Sequence, residues 1–318
     1  MSLTEENIVL IPDLMSRWVR LPSGSLAHYV TSGDTGPSVL LLHGGATGAS
    51  GSAVWRNIAP FLGENGFRVY CPDMPGFGLA DTRSEYLPNN GPISHLRFLC
   101  EFVDALCLDT FHISGNSMGM MNTINYMLAN PERIESFIFI NGGIGNLVDA
   151  EKHVSSGISL PRFEGDEQSL RNHMKPLTYK KVDPPDEVVQ MRLHAANNQK
   201  DSTAAYRNSG RAISSNPNLN QLFSTKDRLD ALDIPGIYLF GQQDDLSPIE
   251  NGYNQEDALP NVQFFYPDEC GHVGQQDQPE MFKKVFLEFF GDGKVSRQTA
   301  EWAGISKRRP EHANLVEP

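Results

Sequence analysis

The chain has no apolar run longer than a few residues, far short of the roughly 20 needed for a bilayer-spanning helix. Its first residues, Met1 to Leu14, include Glu5, Glu6 and Asp13, and they lack the basic start and apolar stretch of a signal peptide. Positive charge is scarce as well: 26 Lys and Arg stand against 39 Asp and Glu, a formal net charge of −13. Such a field repels nucleic acid and anionic lipid, so neither is expected as a partner. The four cysteines, Cys71, Cys100, Cys107 and Cys270, form no Cys-x-x-Cys pair and read as reduced thiols in a cytoplasmic protein. No His-Glu-x-x-His run and no Cys/His spacing suggests a metal, and nothing calls for a cofactor.

What the chain does contain is a rhythm. Short apolar runs at Val39–Leu42, Phe67–Tyr70, Phe111–Ser114, Phe137–Ile140, Ile237–Phe240 and Val262–Tyr266 alternate with helical patterns, which predicts a parallel sheet flanked by helices. One helix is expected over 93–106, where Ile93, Leu96, Leu99, Val103 and Leu106 recur every three or four residues. Asn130-Pro131 should end the helix after Ser117, because proline disfavours helical geometry in its predecessor. The rhythm breaks over 145–226, a polar stretch with two helical patches, at Glu167–Met174 and Pro185–Asn197. Long structureless loops inside compact domains are uncommon, so 145–226 is expected to be a helical cap on a core made from 1–144 and 227–290. The tail, 291–318, is polar with a basic cluster at Lys307-Arg308-Arg309, and reads equally as a docking arm or a frayed end.

Chemistry enters at Gly115-Asn116-Ser117-Met118-Gly119, which follows an apolar strand and opens a helix. A short motif of this kind arises by chance, but the strand-to-helix setting is that of a nucleophile elbow. The turn is tight enough that side chains two residues away on either side would collide, and it lifts the serine hydroxyl to the helix N-terminus, where developing negative charge is favoured. A serine hydroxyl needs a base to take its proton. His272, in Cys270-Gly271-His272, and Asp244, in Gly241-Gln242-Gln243-Asp244, follow late strands in the order Ser, Asp, His. Both fall at strand C-termini, where open α/β sheets gather ligands. Asp245 is the rival to Asp244. Among the other histidines, His112 is expected in the core and His43 as a brace for its loop, with His28, His95, His153, His173, His194 and His312 at the surface or on the cap. His43-Gly44-Gly45-Ala46 follows the Val39–Leu42 strand, so the N–H groups of Gly45 and Met118 are the candidate oxyanion donors.

Taken together, the His-Gly-Gly loop with Gly48-Ala49, Asp73-Met74-Pro75-Gly76-Phe77-Gly78, the elbow and Cys-Gly-His resemble the meta-cleavage product hydrolases, over most of 26–290. That resemblance implies an α/β-hydrolase fold with a helical cap inserted after the sixth strand. It implies hydrolysis of a carbon–carbon bond in a 2-hydroxy-6-oxo-hexa-2,4-dienoate type small molecule, without cofactor or metal, by a self-associating protein. It also implies that Arg192 on the cap reads the substrate carboxylate, with Asn116, Gly44 and Val273 among the substrate-binding residues. Three positions depart from the family pattern. Met120 stands where a second glycine is usual, Val273 where a tryptophan follows Cys-Gly-His, and Ser52 and Ala53 where an asparagine is usual. A carboxylesterase or lactonase with the same three residues is the alternative reading, since such machinery attacks any suitably held acyl carbon. A binding module on the same fold is a further one.

Overall fold

The computed structural model describes residues 2–181 and 184–317. Eight strands form one sheet: β1 (Met15–Arg20), β2 (Leu26–Ser32), β3 (Ser38–Leu42), β4 (Arg68–Pro72), β5 (Phe111–Asn116), β6 (Ile134–Ile140), β7 (Gly236–Leu239) and β8 (Gln263–Phe265). Their spatial order is β8-β7-β6-β5-β3-β4-β2-β1. The pairs from β8 through β4 are parallel, whereas β2 runs antiparallel to both β4 and β1. β3, β5 and β7 are buried along their whole length, as parallel strands covered on both faces must be.

All six apolar runs lie on observed strands, within two or three residues at their ends. The β1–β2 hairpin was not foreseen. β1 is a half-exposed edge carrying Arg17 and Arg20, so it lacks the apolar run that marks its inner neighbours.

Helices cover the sheet: α1 (Gly51–Trp55), α2 (Ala59–Glu64), α3 (Pro92–Ala105) and α4 (Met118–Ala129) before the sixth strand ends, then α5 (Glu167–Met174), α6 (Asp186–Asn198), α7 (Lys200–Ser214) and α8 (Pro217–Asn220) between β6 and β7. After β7 come α9 (Ile249–Ala258), α10 (Gly274–Asp277), α11 (Pro279–Asp292) and α12 (Arg297–Trp302). α3 begins on Pro92, whose fixed φ suits a first helical position, and α4 stops one residue before Asn130-Pro131. The buried face of α3 is His95, Phe98, Leu99, Phe102 and Val103, rotated from the expected stripe.

No sheet strand lies between β6 and β7 among the described residues. α5 and α6 share a small apolar cluster of Leu170, Met174, Val188 and Val189, separate from the main core. α7 was not foreseen, because its sequence is mostly polar; Tyr206 on it stacks on His95 of α3 with ring centroids 4.1 Å apart. His95 is therefore fully buried and not a surface residue. Its Nε2–H donates to the Pro75 carbonyl and Nδ1 accepts from Asn122. Burial lowers its pKa to about 4, which keeps the ring neutral. His28 is buried as well, correcting its expected exposure; it pairs with Asp73 at 2.8 Å and with Ser16 at 2.7 Å.

The tail is folded onto the core. Val295, Ala300, Ala303, Ile305, Leu315 and Val316 are buried, and Val295 and Val316 bridge one another. The basic cluster works inward: Arg308 pairs with the buried Glu256 and with Asp257, and Arg309 donates to the carbonyls of Glu256, Leu259 and Val262.

Two predictions follow from this packing. Replacing Leu315 and Val316 together by alanine should cost about 3 kcal/mol or more, read as a lower urea midpoint, whereas a frayed tail would leave the midpoint unmoved. His95 should also destabilise the fold in acid. The unfolded chain protonates it near pH 6.5 and the folded chain only near 4, so stability is retained above that window and lost as pH falls through it. A His95→Gln variant should therefore show a shallower fall in melting temperature between pH 6.5 and 4 than the parent chain.

Candidate active site

β3 neighbours both β4 and β5, so successive chain connections leave it in opposite directions, and the crevice opens at the C-terminal ends of β3 and β5. The two motifs sit there. Ser117 has φ 57° and ψ −118°, a conformation rare outside glycine, directly ahead of α4. The flanking glycines are obligatory in this setting. A Cβ on Gly115 would strike the carbonyl of Gly119, and one on Gly119 would strike the carbonyl of Leu42. The Ser117 N–H donates to the Ile140 carbonyl at 3.0 Å, tying the turn to β6.

His272 and Asp244 come together although 27 residues separate them. The imidazole Nδ1–H donates to Asp244 Oδ2 at 2.8 Å, since a carboxylate only accepts, and this leaves Nε2 as the acceptor. Asp244 is buried and held by three further donors: the N–H groups of Leu246 and Ser247 on Oδ1, and Asn141 Nδ2 on Oδ2 at 2.9 Å. The rival Asp245 points elsewhere and pairs with Lys181 at 2.6 Å.

Asn141 was missed by the sequence reading. It is fully buried, holds φ 39°, and accepts the Gly241 N–H through Oδ1 while its amide donates to Asp244. An asparagine just past an apolar strand and before Gly142-Gly143 is the signal that could have exposed it.

Ser117, Met118 and His272 line one open cavity of about 1360 Å³ with Asn141. Its other walls mix polar groups, among them His153, Lys226 and Asn251, with apolar ones, among them Met121, Val148, Ile213 and Phe223. Gly45 packs against Met118, close enough that a Cβ on Gly45 would lie 3.2 Å from the Met118 Cβ. This brings the two candidate oxyanion donors side by side. His43 braces the loop as expected: Nδ1–H donates to the Gly44 carbonyl and Nε2 accepts the Met74 N–H.

Asn116 and Gly44, like Gly45, are not among the residues that line the cavity, although a Cβ on Gly44 would lie 3.5 Å from the Ser117 Cβ. The Asn116 amide donates to the carbonyls of Ile140 and His272, so both its hydrogens tie the elbow to its neighbours and neither is offered to a ligand. Gly44 lies against the Asn116 carbonyl oxygens. The turn bearing His272 is pinned in turn by Asp277, which accepts from the N–H groups of Gly271 and of Tyr179 from the segment before α6. Burial raises the Asp277 pKa to about 6 despite those two donors.

Arg192 and Val273 line a second, smaller cavity of about 150 Å³, together with Arg56, Thr178, Gln276 and Asp277. Arg192 is 1% exposed; Nη1 donates to the Thr47 carbonyl at 3.3 Å and, among the described residues, Nε has no hydrogen-bond partner and the guanidinium no ion pair. Burial, helped by Arg56, lowers its pKa to about 10, so it stays cationic. A buried guanidinium without a carboxylate costs several kcal/mol, an arrangement that favours an anionic ligand.

Asn141 generates a prediction. Its amide and the His272 ring share one oxygen of Asp244, so Asn141→Ala should leave that carboxylate less firmly held and lower kcat/KM by roughly tenfold, with the fold intact by circular dichroism. An unchanged kcat/KM would reduce Asn141 to a loop brace.

The α/β hydrolase fold family model matches residues 37–279. Among curated proteins, the chain is 31% identical over 283 residues to 2-hydroxy-6-oxononadienedioate/2-hydroxy-6-oxononatrienedioate hydrolase 1 of Pseudomonas putida, covering 86% of this chain and 96% of that one. It is 29% identical over 286 residues to the corresponding hydrolase of Cupriavidus pinatubonensis, covering 87% and 96%. Among solved structures, a meta-cleavage product hydrolase from Pseudomonas fluorescens superposes with a TM-score of 0.69 at 23% identity, covering 87% of this chain and 98% of that one. The 2-hydroxy-6-oxo-6-phenylhexa-2,4-dienoate hydrolase of Rhodococcus sp. strain RHA1 gives 0.70 at 24%, covering 87% and 99%. On the family model and the curated relatives together, the chain belongs to the α/β-hydrolase superfamily and, within it, to the meta-cleavage product hydrolases.

Proposed function

We propose that this protein hydrolyses the carbon–carbon bond between the 6-oxo carbonyl and its dienoate arm in a 2-hydroxy-6-oxo-hexa-2,4-dienoate type compound, with Ser117 as nucleophile, His272 as base and Asp244 as the orienting acid. The observation that carries this reading is the buried Arg192, without an ion pair among the described residues, whose cavity includes Val273 while the adjoining His272 lines the Ser117 cavity. An ester of a neutral acid has no use for that cation. A dienoate does: its carboxylate would meet the guanidinium while its 6-oxo carbon lies at Ser117.

In this reading the dienol first ketonises, so that the departing carbon leaves as a stabilised enolate. Ser117 Oγ adds to the 6-oxo carbonyl as His272 Nε2 takes its proton, and the N–H groups of Gly45 and Met118 receive the oxyanion. The carbon–carbon bond breaks, the proton passes to the dienoate fragment, and water releases the acyl group from Ser117 as a carboxylic acid. Asp244 keeps the Nδ1–H tautomer and stabilises the imidazolium. Asn116, whose amide is occupied by backbone carbonyls, acts as a tie within the elbow. The curated relatives are named for dienedioates, and His153, Lys226 and Asn251 on the walls of the Ser117 cavity offer polar partners to an acyl group that itself bears a carboxylate.

The test is a panel of synthetic yellow dienoates whose bleaching follows cleavage, run beside aryl acetates. The parent protein should bleach carboxylated members fastest. Arg192→Ala should lower kcat/KM for dienoates by roughly a hundredfold or more, the cost of deleting one partner of a buried charge pair, and spare aryl acetates. No bleaching across the panel, beside brisk ester cleavage, would make the protein a carboxylesterase or lactonase.

A further inference from the structure

A third cavity, of about 960 Å³, lies between the cap and the core and shares no lining residue with the Ser117 cavity or the Arg192 cavity. One stripe of α7 faces it: Lys200, Thr203, Ala204, Arg207, Asn208 and Arg211, spaced at helical intervals. The segment 160–165 forms another wall and contributes Arg162. Apolar groups complete the lining, among them Phe77, Leu160, Phe163 and Ala195.

The charge balance here is the reverse of the chain's. The whole protein carries 39 acidic and 26 basic residues, yet this cavity is lined by Arg162, Lys200, Arg207 and Arg211 against Glu164 alone. None of those four cations has an ion pair or side-chain hydrogen bond among the described residues. All four side chains reach the exposed rim of the cavity, and Arg207 and Arg211, four apart on one helix face, repel one another. An acidic residue is the ordinary companion for such a pair, and elsewhere on the cap Arg171 has two, Glu167 and Asp186. Repelling cations left without one, around a cavity with an apolar lining, suit an anion delivered from solution.

We propose that this cavity binds a small organic dianion, a dicarboxylate with a flat apolar body, with Arg207 and Arg211 holding one carboxylate and Arg162 the other. Guanidinium groups favour carboxylates through paired N–H donors, and the apolar lining takes the body of the ligand. The site abuts the catalytic loop. Thr47 and Gly48 line it, the Thr47 N–H donates to His173, and the Thr47 carbonyl accepts from Arg192 on the other side. Occupancy would therefore bear on the segment that carries Gly45.

Isothermal titration of the intact protein with terephthalate, at low and at moderate salt, tests the proposal. It should show one saturable site per chain that weakens with salt, is weaker for benzoate and is absent for terephthalamide. Arg207→Gln with Arg211→Gln should weaken binding by roughly tenfold or more, as loss of charge-assisted bonds requires, and leave aryl acetate turnover unchanged. If the double variant misfolds, Arg162→Gln, on a non-helical segment, should show the same weakening. Binding that survives these changes and disappears in Arg192→Ala would place the ligand in the catalytic site and overturn the proposal. So would equal affinity for benzoate, or no saturable binding at millimolar terephthalate. The outcome does not depend on carbon–carbon cleavage, because the readout is binding and the activity control is ester hydrolysis.

Discussion

The whole site hangs on a turn that the backbone resists. Ser117 sits at positive φ, which an L residue avoids, and it stays there because its surroundings leave no alternative. Its N–H is bonded to β6, the Asn116 amide reaches both β6 and the His272 carbonyl, and Gly119 packs against the end of β3. Three strands and the histidine turn therefore close on one peptide. Strain of this kind is stored only when neighbouring contacts over-determine it, and here the same contacts set the positions of the loop after β3 and of His272.

A second constraint acts through Asp244. Four donors converge on a buried carboxylate: two backbone N–H groups, the Asn141 amide and the His272 ring. Satisfied in this way the charge is tolerated in the interior, and it selects one tautomer of His272. Asp277 performs a similar task one turn away, joining the His272 turn to the chain ahead of α6. The cap is thus tied to the catalytic loops by specific bonds, and the stack of Tyr206 on His95 and the bond from Arg192 to Thr47 extend that coupling.

Three cavities meet around this framework, and their electrostatics differ. The Ser117 cavity is broad with mixed apolar and polar walls, the Arg192 cavity is small and cationic, and the outer basin on α7 is cationic in an otherwise acidic chain. Arg192 and the Thr47–Gly48 segment stand between the Arg192 cavity and the outer basin. Gly48 has positive φ, and a side chain there would collide with the Arg192 backbone, so the wall between cap and core is thin by construction.

By itself the sequence determined the inner strands, the elbow and the order of Ser117, Asp244 and His272 at the ends of strands. Those features are local: a buried parallel strand is a continuous apolar run, and a tight turn needs glycine at fixed offsets. Tertiary structure decided the rest. The edge strand β1 and the polar helix α7 carry no periodic apolar signal, and they form because neighbours supply the partner surface. His28 and His95 looked exposed because histidine is polar, and they are buried because Asp73 in one case and Pro75, Asn122 and Tyr206 in the other satisfy the ring. Asn141 reaches Asp244 across 103 residues of sequence. The tail's basic cluster faces inward onto α9, because Glu256 is buried there. Hydrogen-bond partners brought together from distant parts of the chain leave no local pattern, and only the folded arrangement assigns them.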